Sequence, residues 1–219
     1  KDWARSQKIG RNDPLGVLVQ EDGTLLITPK IPGEKVQREW SFEVPPEMDP
    51  VLLFRLLIAA YIGGYSIIRL SGSARLPPFV RTVVRDFTRM TIGQEVAGET
   101  EASVTIKDLL DPAEMPLDRT LSRMAVIVRS MHRDAMGALI TANPALAADV
   151  IARDNDVDRL HWLVARQFNL ILSDPDMARS LKITPAMASR FYVLSRLIER
   201  IGDHGVSVAE NTGRLMERR

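Results

Sequence analysis

The chain has 219 residues, 45% of them apolar and 26% charged, and a formal net charge of +1. Those proportions belong to an ordinary soluble protein long enough to bury one large core or two small ones. The near-zero charge supplies no global field of the kind that marks a nucleic-acid binder. The lack of cysteine excludes disulfides, thiolate zinc sites, iron–sulfur clusters and a cysteine nucleophile. Any bound metal must therefore take oxygen and imidazole ligands. The apolar run from Val51 is cut at Arg55 and the run from Leu56 to Ile68 holds two glycines, so neither reaches the roughly 20 residues that span a bilayer. The chain opens at Lys1 rather than Met, and a leading segment is expected before it.

In chain order, residues 1–31 predict a short helix and a hairpin. Leu15 to Gln20 and Thr24 to Thr28 are its strands, and Glu21-Asp22-Gly23 is the tight turn that Asp-Gly between apolar runs signals. Pro29 to Glu34 reads as a linker. The stretch 36–110 predicts the order β-α-β-α-β-β. Trp40 to Val44 is a strand, Asp49-Pro50 caps a helix ending at Gly63-Gly64, and Tyr65 to Leu70 is a strand. Pro77-Pro78 opens a second helix reaching Met90, followed by short strands at Gly93 to Ala97 and Ala102 to Ile106. That alternation argues a small layer of helices on a sheet.

From Pro116 onward every apolar pattern is helical. Leu117, Leu121, Met124, Val128, Met131, Ala135 and Ala138 alternate steps of four and three, the spacing of a bundle seam. Asn143-Pro144 starts a second helix with Ala147, Val150, Asp154, Val157, His161, Val164, Phe168 and Ile171 on its seam. Ser173-Asp174-Pro175 interrupts it, and Thr184-Pro185 opens a third helix whose apolar stripe is read as Phe191, Leu194, Ile198, Ile201, Gly205 and Val208. The fold class is thus α+β. An N-terminal β-hairpin module (1–34) and a small α/β layer (35–112) precede an antiparallel three-helix bundle (113–219).

Two acid pairs stand out on the last two helices: Asp154 with Asp158, and Glu199 with Asp203. Residues four apart lie about 40° apart around a helix and one turn apart along it. Like charges so placed cost an isolated helix a few tenths of a kcal/mol, which a cation, a nearby arginine or plain solvation must offset. Arg153, Arg159, Arg196 and Arg200 are candidate ion-pair partners, and a polar seam residue can also serve only to fix register. The other reading is a carboxylate-lined cation site on the bundle flank, with Asp154, Asp158, Glu199 and Asp203 as ligands. Such an oxygen-rich, open site suits a hard or borderline cation. His161 on the seam is read as a hydrogen-bonded residue, His204 as peripheral to the site, and His132 as surface.

Asp154-Asn-Asp-Val-Asp158 and Glu199-Arg-Ile-Gly-Asp203, with His204 and Ala209-Glu210-Asn211 after it, resemble the PhoU family of phosphate-uptake regulators over about 116–219. The resemblance implies three-helix bundles whose paired acids bind iron, zinc, manganese or magnesium. It further implies a cytoplasmic regulator, peripheral to the membrane, that docks on a phosphate transporter component or a sensor kinase. Family members typically carry two such bundles, whereas this chain carries one. The opening Lys1-Asp-Trp-Ala and the hairpin resemble a truncated AbrB-type swapped-hairpin module, which implies a homo-oligomer and, as the alternative function, DNA binding in transcriptional regulation. No H-E-x-x-H, G-x-S-x-G or phosphate-cradling loop is present, so no enzyme activity is expected.

Overall fold

A computed structural model describes residues 2–19, 23–29 and 37–216. The chain divides into two compact units, 1–36 and 37–219. In the first, the short helix α1 (Asp2–Ser6) precedes strands β1 (Gly16–Val19) and β2 (Leu25–Thr28). The strands pair antiparallel, with Val17 opposite Ile27 and Val19 opposite Leu25. These four side chains share one face of the hairpin, and all are 48–67% exposed. The expected turn at 21–22 and most of the expected linker fall outside the described residues, as does Lys1.

The second unit opens with β3 (Glu39–Glu43), α2 (Pro50–Ile62), β4 (Ile67–Ser71), α3 (Pro78–Met90), β5 (Gln94–Glu99) and β6 (Ser103–Asp108). The sheet order is β3-β4-β6-β5, with β3 parallel to β4 and the other pairs antiparallel. Register places Trp40, Ile68 and Ile106 in one row and Phe42, Leu70 and Val104 in the next. Those rows pack with Leu53, Leu57, Val80 and Phe87 of the two helices. The opposite face is polar and carries the Glu39–Arg69 pair at 2.6 Å. This is the inward–outward alternation of a sheet covered on one side. Asp49 caps α2 by accepting from the Val51 amide at 2.9 Å.

After a single 3-10 turn at Pro112–Glu114 come α4 (Leu117–Thr141), α5 (Pro144–Ser173), the short α6 (Pro175–Ser180) and α7 (Pro185–Met216). The three long helices share one apolar core. The seam of α4 is buried throughout: Leu117, Leu121, Met124, Val128, Met131, Ala135 and Ala138 are all inside. Asn143 caps α5, its side chain accepting from the Leu146 amide, while Ala142 takes the left-handed conformation that closes α4. Among the described residues no helix is long and apolar enough to cross a membrane.

The apolar stripe expected on α7 is corrected by the structure. Leu194 and Ile201 are 47% and 49% exposed, whereas the buried line is Ala188, Ser195, Gly202 and Ala209, spaced by seven. Small side chains let the helix axes approach, so the face that packs is turned by about one residue from the face with the largest apolar groups. Phe191, Ile198 and Val208 of the expected stripe still border the core, and its Gly205 is buried.

The layer at 37–112 and the helices from 113 onward lie within one compact unit. Arg166 of α5, 3% exposed, ties them together. Its guanidinium pairs with Asp108 of β6, donates to the Tyr61 carbonyl of α2 and lies 4.9 Å over the Tyr61 ring. Gly64, at φ +81°, ends the α2 segment where an added Cβ would fall 2.8 Å from Leu170 of α5. Removing the guanidinium strands a nearly buried Asp108 carboxylate, a change that costs about 3–5 kcal/mol. Arg166→Ala is therefore expected to shift urea-induced unfolding of 37–219 by that amount, with Asp108→Asn in the same background recovering part of the loss.

Candidate metal centre

Helices α5 and α7 run antiparallel, which the contacts His161–Ser195 and Asp154–Gly202 fix at two levels one heptad apart. That register sets Asp158 across from Glu199 and Asp154 across from Asp203. All four predicted acids thus belong to one cluster, and their electrostatics express it. Burial raises the Asp154 carboxyl above its ordinary range, helped by the charge of Asp203. Asp158 is pushed up to about 7, by burial first and then by Asp154, Glu199 and Asp203. Glu199 is also raised by burial and by Asp203 and Asp154, with Arg196 and Arg200 opposing.

Two of the four arginines that were candidate partners are committed elsewhere. Arg153 bridges to Asp134 at 2.6 Å and Asp149 at 2.9 Å and donates to Ser130. Arg159 reaches Asp156 at 3.8 Å. Among the described residues none of the four clustered acids closes an ion pair, and Asp154 Oδ1 is buried without a hydrogen bond. An orphaned carboxylate oxygen among three other acids is the electrostatic situation that a cation relieves. The donor set fits a hard or borderline cation in chemistry. As the side chains stand, however, no group of three acids or histidines among the described residues is placed to hold one ion. Binding would require the exposed Asp203 and half-buried Glu199 to turn toward Asp154 and Asp158.

One end of the cluster is closed by aromatic stacking. His161 lies on Tyr192 at 6.0 Å between ring centres, and Tyr192 on Phe168 at 5.0 Å. The Ser195 hydroxyl donates to the Tyr192 carbonyl, so His161 Nδ1–H is the donor in its 3.0 Å bond to Ser195 Oγ. Burial and Arg196 both lower the His161 pKa, which favours the neutral ring. His204 is exposed and lies off the cluster. His132, read as surface, instead bonds the Ile201 carbonyl at 2.5 Å and lies against Gly205, joining α4 to α7. Sequence reasoning missed Gly202 and Ser195, which let α7 approach; the seven-residue spacing of small side chains was their signal.

The pH dependence follows from these shifts. With its carboxyl near 7 when folded and near 4 when unfolded, Asp158 binds more protons in the folded chain between those values. Stability must then fall as pH rises through that window. In the presence of chelator, Asp158→Asn is expected to raise the melting temperature at pH 7.5 by about 3 °C, the shift that roughly 1 kcal/mol produces at this size. The two proteins should converge near pH 4. A lower melting temperature for the variant at pH 7.5 would show that the carboxylate is stabilising instead.

Residues 121–212 match the family described as PhoU domain. A stretch of 85 residues is 32% identical to the phosphate-specific transport system accessory protein PhoU homolog of Clostridium acetobutylicum. That match covers 39% of this chain and 36% of the relative, so the chain spans about a third of the length of the curated protein it matches. No solved structure matches the chain. The acid pairs of α5 and α7 all fall inside 121–212, so the likeness to the PhoU family holds for the segment that carries the cluster.

Proposed function

We propose that this protein is a metal-binding regulator of phosphate uptake or phosphate signalling, which acts by docking on a phosphate transporter component or a sensor kinase and not by catalysis. The carrying observation is the cluster Asp154, Asp158, Glu199 and Asp203, which closes no ion pair among the described residues and leaves Asp154 Oδ1 buried without a hydrogen bond, within a segment that matches the PhoU domain. Iron, zinc, manganese or magnesium bound there would supply the missing positive charge. The α7 flank with Arg196, Arg200 and the acid pair is then the docking surface. Its charge changes with occupancy of the cluster, and a partner would read that change. A cytoplasmic location, peripheral to the membrane through a transporter, goes with this reading. Protein purified without chelator should carry one of these metals in stoichiometric amount, lost on Glu199→Gln with Asp203→Asn. Pull-downs from cells at high and low phosphate should recover a transporter component or sensor kinase, weakened by Asp203→Asn. Metal-free protein, or a partner indifferent to that substitution, refutes the reading.

A second reading concerns the N-terminal unit. An isolated two-stranded hairpin is marginal in water, and the face formed by Val17, Val19, Leu25 and Ile27 is exposed. A second copy of the hairpin would cover it, as in the AbrB-type modules that the opening resembles, and the oligomer would then be a candidate DNA-binding regulator. Light scattering should give a dimer at micromolar concentration that Val17→Lys with Ile27→Lys dissociates, whereas a strict monomer argues against it. Specific promoter binding with a steep salt dependence would favour transcriptional regulation over docking.

A further inference from the structure

Helix α7 has a second apolar line besides the one it buries. Met187, Leu194, Ile201, Val208 and Leu215 recur every seven residues, with Leu197 beside them. Met187, Leu194, Leu197, Ile201 and Leu215 are 41–57% exposed, although a heptad line of this kind is the signature of a helix packed against another helix. The neighbouring row of α4 runs through Arg129, His132, Met136 and Leu139. His132 touches α7 at Ile201 and Gly205, and Leu139 lies seven residues further along the same face. Met136 and Leu139 are 49% and 41% exposed. The two rows therefore flank an apolar groove between α4 and α7, and the α7 line extends over about 42 Å at 1.5 Å per residue.

The charges around this groove are mostly positive. The α7 line and the residues interleaved with it contain Arg190 and His204 and no acid, and the α4 row from Ser122 to Leu139 contains Arg129 and His132 and no acid. Asp118 continues the α4 row one turn before Ser122 and places one carboxylate at that end of the groove. Among the described residues neither Arg129 nor Arg190 closes an ion pair. Two copies joined groove to groove would bring mostly arginines and histidines to the rim, so a second copy of this face is a poor occupant. A membrane is poorer still, because neither row holds the Trp, Tyr or Phe that anchors an interfacial helix, and the groove lies between two helices.

We propose that the α4–α7 groove docks one acidic amphipathic helix of a partner protein, with its apolar face on the Leu194–Leu197–Ile201 stretch and its carboxylates toward Arg129 and Arg190. This inference rests on the docking reading above and places a contact on the other flank of α7. Asp203 follows Ile201 by two residues and so lies about 200° around the helix. Groove and acid cluster can be occupied at once.

The probes are two labelled synthetic helical peptides of about four heptads, each with leucine at its core positions, one flanked by glutamate and the other by lysine. With the full chain, fluorescence anisotropy should give a dissociation constant of about 1–10 µM for the glutamate peptide and binding at least about tenfold weaker for the lysine peptide. Leu197→Asp should weaken the glutamate peptide by more than about tenfold, a loss of roughly 1.4 kcal/mol or more. Arg129→Glu with Arg190→Glu should reverse the preference, which a merely unfolded variant cannot do. Equal binding of the two peptides, binding of neither, or indifference to Leu197→Asp overturns the proposal. So does binding to phosphatidylserine vesicles without peptide binding, or a dimer that Leu197→Asp dissociates. Asp203→Asn should leave peptide binding unchanged, so failure of the groove and failure of the metal-dependent docking are read separately.

Discussion

Four small residues at intervals of seven, Ala188, Ser195, Gly202 and Ala209, let α7 settle against α4 and α5, and much else about the chain follows from that approach. With larger groups on this line the axes would stand further apart, and the acids of α5 and α7 would face each other across solvent. Instead Asp154 Oδ1 lies 3.6 Å from where a Cβ of Gly202 would stand, buried and without a hydrogen bond. The close approach is thus also what concentrates the negative charge. Packing and electrostatics oppose one another here, and the raised carboxyl of Asp158 registers the conflict.

The α5 helix serves two masters along its length. Its N-terminal half presents Asp154 and Asp158 to α7, while its C-terminal half turns to the α/β layer. Trp162 meets Phe54 edge-on, Arg166 takes Asp108 and the Tyr61 carbonyl, and Asn169 donates to the Ile62 carbonyl. A buried ion pair adds little net stability compared with an apolar isostere, but it penalises every arrangement that separates the partners. Arg166 therefore fixes where the layer sits on α5 more than it strengthens the fold, and α5 in turn carries that placement to the acid cluster.

Much of this was legible in the residues themselves. The order β-α-β-α-β-β, the proline starts of α2, α3 and α5, and the seam of α4 all follow from turn chemistry and apolar period, and the structure has them within a few residues. The two acid pairs, Asp154/Asp158 and Glu199/Asp203, could be picked out by their matched four-residue spacing, whereas the register that sets them across from one another comes from the His161–Ser195 and Asp154–Gly202 contacts. The buried face of α7 was not legible. Its largest apolar residues face outward, and a hydrophobicity pattern weighted by size follows Leu194 and Ile201 in preference to Ser195 and Gly202. His132 was misjudged for a similar reason, since Asp134 is the one acid in register with it and its partner is instead a backbone carbonyl that no side-chain pattern encodes. The partners of the arginines were illegible as well. Arg153 chooses Asp134 and Asp149, one across the helix pair and one on its own helix, from several acids within reach.

What the two lines of α7 have in common is a division of labour by residue size. The small line gives up apolar area in exchange for proximity, and proximity is what brings the two acid pairs together. The large line keeps the apolar area but leaves it half exposed, which is unfavourable for a helix that has nothing else to pack against. A helix selected for stability alone would bury its leucines and leave its glycines out. Arranged the other way, α7 yields a charged face toward α5 and an apolar face beside α4, separated by about half a turn of the helix. The same rotation that frustrates the simple reading of the sequence therefore leaves one rigid element with two chemically distinct surfaces. Any change of charge on the first acts on a helix whose second surface is already formed and available.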